Sequence, residues 1–252
     1  MSEKPLQAGS GEKAYKLLAK QMGISNSEAK ALIDRGLVFS HGRKVLIARA
    51  MMAKHTVFKV EQPPKAQVIF EDENLLVVNK PPFRDSEEIA KEFGFPLLHR
   101  LDRETSGVLM LVKNSDFQKK AIEAFRKEEV AKEYLAIVQG IVAEGGQIDK
   151  PIVTTKGHFA KSRVAKEGKC ALTIYEPLEV AGGRTKLAVK IVTGRTHQIR
   201  VHLAYIRHPI VGDRLYGGPE AKRMMLHAWK VSLMGLEFEA EPTQEFSQFA
   251  HS

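Results

Sequence analysis

Seven residues, EQPPKAQ at 61–67, constrain this chain more than any others. Two adjacent prolines offer no backbone N–H and hold φ fixed, so neither a helix nor an interior strand can run through them. The expectation is two domains, residues 1–62 and 68–252. Charge divides at the same place. Residues 1–62 hold 11 Lys and Arg against five Asp and Glu, so +6 of the net +9 lies in the first quarter of the chain. A surface this basic favours polyanionic partners, nucleic acid first, with a merely soluble basic protein as the plain alternative. The 252 residues suffice for one large and one small domain with a proper core. A single cysteine, Cys170, allows neither an internal disulfide framework nor a thiolate metal site. No run approaches the roughly 18 apolar residues of a membrane span. The opening MSEKPLQAGSGEKAYK has no apolar core of signal-peptide length. A soluble, cytoplasmic protein is expected.

The first domain reads helix, helix, hairpin. Tyr15, Leu18, Ala19 and Met22 recur at helical spacing over 12–22, and Gly23 ends the run. Ser25 with Glu28 three residues on is a capping box for a second helix through Ala29, Leu32 and Ile33, stopping at Gly36. Leu37–Phe39 reads as a strand, 40–44 as a turn, Val45–Ile47 as the returning strand and Val57–Val60 as a last one.

The second domain mixes both periods. Strands are expected at 68–70, 75–78, 108–112, 132–139, 171–175 and 186–192, with helices at 87–93, 116–129 and 196–206. The run Val108–Val112 is apolar throughout, as a strand buried on both faces would be. Just before it stands HRLDRETSG, 99–107, with one carboxylate between two arginines. Taken alone, Asp102 is either a structural ion pair or a poised nucleophile, and the ion pair is the commoner case.

Two resemblances bear on this. LLAKQMGISNSEAKALIDRGLVFSHGRKV (17–45) resembles the small alpha-L, or S4-like, RNA-binding module. That resemblance implies that Lys30, Arg35, Arg43 and Lys44 face phosphates. It departs from the module's usual pattern at Lys13-Ala14-Tyr15 and at Ser40-His41-Gly42. Four blocks in order, DENLLVVNKP (72–81), HRLDRETSGVLMLVKN (99–114), KEYLAIVQG (132–140) and GRTHQIRVHLAYIRHPIVGDRLYGG (194–218), then RMMLHAWKVSL (223–233), resemble the RluA family of RNA pseudouridine synthases. The implied fold is α+β: a catalytic domain built on a mixed, largely antiparallel sheet, beside a small N-terminal α/β RNA-binding module.

The implied reaction cleaves the bond from ribose C1′ to uracil N1, turns the base and rejoins it through C5. Nothing is lost and no redox step occurs, so no cofactor and no metal are expected. One ionised carboxylate near the sugar is needed, acting on the base or sugar as nucleophile or on the ribose as base; both routes stay open. By match to the family, Asp102 is that carboxylate and Arg200 the cation that keeps it charged. Tyr134 stacks on the flipped uracil, its hydroxyl the acceptor for the C5 proton directly or through water. Arg100 enters the space the flipped nucleotide leaves, and Leu203 walls the base pocket. Thr105-Ser106-Gly107 reads as a tight turn aiming Asp102, and Thr196-His197-Gln198 as the cap of the helix bearing Arg200. After Lys80-Pro81 the chain is shorter than the family pattern. Relatives with the N-terminal module often modify large-subunit rRNA, which puts that RNA first and tRNA second; a monomer is the default. Two competitors are a non-catalytic RNA-binding assembly factor on the same fold and a glycosidase-like hydrolase. The hydrolase would need a second carboxylate across the scissile bond, and Glu104 shows no such role.

Overall fold

The computed structural model describes residues 11–62, 64–155 and 160–249. Pro63 of the double proline and the first ten residues of the chain lie outside them. The chain forms two compact units, up to Pro64 and from Lys65 on.

The first unit runs β1 (Glu12–Lys13), α1 (Ala14–Met22), α2 (Asn26–Asp34), β2 (Val38–Ser40), β3 (Arg43–Lys44), β4 (Met51–Met52) and β5 (Lys59–Val60). Ser25 caps α2 as a full capping box: its hydroxyl accepts from Glu28 N and the Glu28 carboxylate accepts from Ser25 N. Leu17, Leu18, Ala29, Ile33, Val38, Val45 and Phe58 close a small core. The returning strand is displaced. Arg43 and Lys44 pair with Ser40 and Phe39, while 45–47 are irregular. The turn is tighter than expected; Val45 N donates to Val38 O at 2.8 Å, one bond beyond the two-residue strand, and its side chain is buried in the core.

The second unit runs β6 (Gln67–Glu71), β7 (Leu75–Lys80), α3 (Ser86–Phe93), β8 (Ser106–Val112), α4 (Ser115–Arg126), β9 (Ala131–Gln139), β10 (Gly146–Asp149), β11 (Ile152–Thr155), β12 (Lys161–Val164), β13 (Leu172–Ala181), β14 (Arg184–Ile191), α5 (Gln198–Tyr205), β15 (Leu226–Leu233), β16 (Leu236–Glu239) and α6 (Gln244–Ser247). Nine strands form one sheet in the order β10-β13-β14-β9-β15-β8-β7-β6, with β16 on β15. Every pair is antiparallel except β8 with β15. Strand β8 is buried along its whole length because both faces are covered. Val108 and Met110 pack with Ala121 and Ala124 of α4. Leu109 and Leu111 face the larger core, with Ile89 of α3 and Ile199 and Leu203 of α5.

Ser106 and Gly107 belong to β8 and are not part of a turn. The turn lies earlier, closed by Thr105 N donating to Asp102 O at 3.0 Å. Gly107 is where β8 meets β15. Its φ is +114°, and a Cβ there would run into the carbonyl of Ala228. The register then places Lys80, Gly107, Ala228, Tyr134 and Val189 in one row across five adjacent strands. The second unit also builds strands the sequence pattern does not announce: β10, β15, β16 and the separate hairpin β11–β12.

Candidate active site

Asp102 sits at the end of the segment that enters β8, with Leu101 buried behind it. That segment is gripped from several sides. The Ser86 hydroxyl, at the start of α3, accepts from Leu101 N and donates to Leu101 O, both at 3.1 Å. Lys80 is fully buried and donates to the carbonyls of Pro81, Arg84 and Arg103 at 3.0, 2.7 and 3.1 Å. Burial pushes its ammonium down to about 7, against the pull of Glu104 and Asp85. Below the turn, Arg223 donates to Ser106 Oγ at 2.6 Å, and Ser106 Oγ shares a 2.8 Å bond with His227 Nδ1. Arg223 and His227 are themselves buried, which pushes them down to about 10 and about 4.

Arg200 comes from α5, whose residues from Gln198 to Leu203 are all buried. The Gln198 amide anchors this helix: its oxygen accepts from Arg195 N and Thr193 Oγ1, and its nitrogen donates to Leu172 O and Thr173 Oγ1. His197 stands at the N-cap position but gives the helix no side-chain cap. The expected side-chain cap is not made; Gln198 instead ties the start of the helix to the preceding loop and to β13.

The guanidinium of Arg200 spans two carboxylates. Nε and Nη2 donate to Asp213 Oδ2 and Oδ1 at 2.7 and 2.9 Å, a bidentate pair, and Nη1 donates to Asp102 Oδ2 at 2.9 Å. Burial alone would lower Arg200, but the bonds to Asp213 and the charge of Asp102 outweigh it and hold the group above its ordinary value. The side-chain exposures grade along the chain of charges: 1% for Asp213, 7% for Arg200, 26% for Asp102. Only Asp102 is open to a substrate; Asp213 is spent on orienting the arginine.

Tyr134 lies in the strand row described above and is buried. Burial first, and then the charge of Asp102, raise its phenol well above the ordinary value, so it stays neutral at physiological pH. Leu203 is fully buried in the same core as Tyr134 and Leu101. Arg100 is exposed and pairs with Glu87 at 2.8 Å on the surface. The structure thus brings Asp102, Arg200 and Tyr134 together and leaves Arg100 outside that cluster. Lys30, Arg35, Arg43 and Lys44 belong to the first unit. There Lys30 lies 4.5 Å from the centre of the Tyr15 ring and Lys44 5.5 Å from that of Phe39; Arg43 is exposed.

Lys80 and Asp213 escaped the sequence reading, and His197 was read only as part of a helix cap. All stand inside the quoted blocks, and an acidic residue between glycine and arginine in the apolar run IVGDRLY was the available signal for Asp213. Among the described residues, no group of three or more His, Cys, Asp or Glu side chains is gathered as a metal site.

The profile of the family described as RNA pseudouridylate synthase matches residues 78–205, which include Lys80, Asp102, Tyr134 and Arg200. An "Uncharacterized RNA pseudouridine synthase" of Helicobacter pylori strain J99 is 54% identical over 239 residues, covering 93% of this chain and 99% of that protein. "Ribosomal large subunit pseudouridine synthase D" of Pasteurella multocida is 32% identical over 228 residues, covering 77% of this chain and 69% of that protein. Among solved structures, "Human RNA Pseudouridylate Synthase Domain Containing 1" superposes with a TM-score of 0.63 at 29% identity, over 74% of this chain and 86% of that one.

Proposed function

The chain belongs to the RNA pseudouridylate synthase family and is an isomerase of uridine in RNA; on that premise we propose that it acts on large-subunit ribosomal RNA and that Asp102 opens the reaction. The observation that carries the assignment of Asp102 is the Asp213–Arg200–Asp102 chain of charges, in which only the last carboxylate is open to a ligand. Arg200 engages Asp102 through Oδ2, and Oδ1 is the oxygen left to approach the flipped nucleotide. Arg200 holds one oxygen of Asp102 in place while Asp213 keeps Arg200 from rotating. Tyr134, a neutral phenol, stacks on the base. Its hydroxyl can take the C5 proton only by passing its own onward, so it serves as a relay and not a store. Arg100, on the rim, fills the gap left by the flipped nucleotide once its surface pair with Glu87 opens, and Leu203 backs the base pocket from the core.

The choice of RNA rests on relatives such as the Pasteurella multocida enzyme, whose name specifies the large ribosomal subunit. The first unit is read as an alpha-L-type module that adds phosphate contacts through Lys30, Arg35, Arg43 and Lys44, next to a catalytic domain at 68–252. No helix among the described residues is long and apolar enough to cross a membrane. The working setting proposed is a cytoplasmic monomer on RNA.

Tritium release from RNA labelled at uridine C5 tests the reading, with large-subunit rRNA and bulk tRNA transcripts offered to wild type and Asp102→Asn. Release from the rRNA by wild type alone is expected. Release from tRNA only would move the substrate, and equal release by both proteins would remove Asp102 from its role.

A further inference from the structure

We propose that His197 is a positioning residue for Asp102, with its tautomer set by Tyr216 and Ser162; the proposal rests on the assignment of Asp102 made above. His197 has φ 56° and ψ 22°, the left-handed region where glycine is at ease and a side chain is strained. A side chain kept in such a place beside a reactive carboxylate points to what the side chain touches. It does not cap α5. Its ring instead meets two groups. Nδ1 lies 2.8 Å from the Tyr216 hydroxyl, and Nε2 lies 3.8 Å from Asp102 Oδ2.

The hydrogen-bond inventory orients the ring. The Tyr216 oxygen accepts from Ser162 N at 2.9 Å, which leaves the hydroxyl proton to be donated to Nδ1. Nε2 then carries the ring proton and turns it towards Asp102. Ser162 is in turn fixed in β12: its hydroxyl donates to Thr196 O at 2.9 Å and sits 2.9 Å from Thr154 Oγ1 across the hairpin. The Tyr216 ring also lies edge-on to His197, with centroids 5.7 Å apart, and 5.2 Å from the Arg200 guanidinium carbon. Burial holds His197 below its ordinary value, with Asp102 pulling the other way, so the ring is neutral near pH 7 and Nε2–H is its one polar hydrogen. A single bond from Arg200 leaves a carboxylate free to swing. A second N–H facing the same oxygen from 3.8 Å restrains that swing electrostatically.

Two measurements test this. The first needs no RNA: ring ¹⁵N–¹H correlations of His197 in the full chain. Wild type should show the Nε2–H tautomer, and Tyr216→Phe, which keeps the ring but not the hydroxyl, should show a tautomer mixture. An Nδ1–H tautomer in wild type, or no change in Tyr216→Phe, overturns the proposal. The second is turnover on large-subunit rRNA. His197→Gly should melt near wild type, because glycine suits that backbone, yet lose about 10²-fold in kcat with KM unchanged. His197→Asn, which tolerates the same backbone and offers an amide N–H, should recover part of the loss. Wild-type kcat in His197→Gly while Asp102→Asn is inactive overturns the role of His197. Turnover by Asp102→Asn overturns the assignment of Asp102 and the proposal with it.

Discussion

One arginine side chain joins the chemistry to the scaffold. Arg200 is held bidentately by a carboxylate that solvent barely reaches and offers its remaining nitrogen to one that substrate can reach. Removing the inner partner is therefore more damaging than its distance from the cleft suggests. Asp213→Asn leaves a buried guanidinium half paired, and a loss of about 3 kcal/mol in urea denaturation is expected, with kcat down about 10²-fold. His227 gives the stability of the fold a pH dependence. Its folded value of about 4 lies below the unfolded value near 6.5, so the unfolded chain binds more protons between them. Stability is full above about pH 6.5 and is lost as pH falls towards 4, by about 1.36 kcal/mol per unit. Unfolding free energies at pH 5 and 6 should differ less in His227→Gln than in wild type. His99, also pushed down to about 4 by burial, adds in the same direction in both proteins. The closeness of Asp102, Tyr134 and Arg200 was legible because each lies in a run of distinctive neighbours. The place of Asp213 was not: an acidic residue in the apolar run IVGDRLY marks a candidate, but its partner is 13 positions earlier, on α5.

At the scale of elements, the parallel contact of β8 with β15 is the narrowest join in the sheet, two residue pairs long. It begins just after the turn that carries Asp102. Gly107→Ala puts a methyl group against the Ala228 carbonyl at a backbone angle alanine avoids, so the strands must part. A loss of about 3 kcal/mol is expected, read as a lowered Tm, together with loss of turnover. Legibility at this scale follows the range of the interaction that makes each element. The capping box of α2 spans three residues, and the apolar run of β8 is its own signal; both could be read. The place of β15 could not. LHAWKVSL is buried at its start and half exposed at Trp229 and Lys230, and its position is set by partners such as Ser106, 121 residues away. The β11–β12 hairpin offers only Ile152 and Val164 to a small apolar cluster with Val201 of α5, and polar bonds from Ser162 to Tyr216 and Thr196 help to place it.

Over the whole molecule, the excess of positive charge decides how binding responds to salt. If Lys30, Arg35, Arg43 and Lys44 each meet a phosphate, replacing all four with alanine should flatten the slope of log K against log salt by about 3, at roughly 0.7–0.9 per contact. Filter binding of large-subunit rRNA across a salt series reads this directly, and an unchanged slope would take those residues off the RNA. Turnover at saturating RNA should be spared, since none of the four belongs to the unit that carries Asp102.

The last long strand of the chain is also the one at the middle of its sheet. Strands β8 and β9 do not pair; β15 lies between them and bonds to both. During synthesis the earlier strands therefore wait, with two open edges facing a slot that only residues 226–233 can fill. A product that ends before that point is not a weakened enzyme. It is a split sheet with two adhesive rims, prone to pair with the wrong chain, and the quality of the finished molecule turns on one strand, Leu226–Leu233, made after the strands on both sides of it.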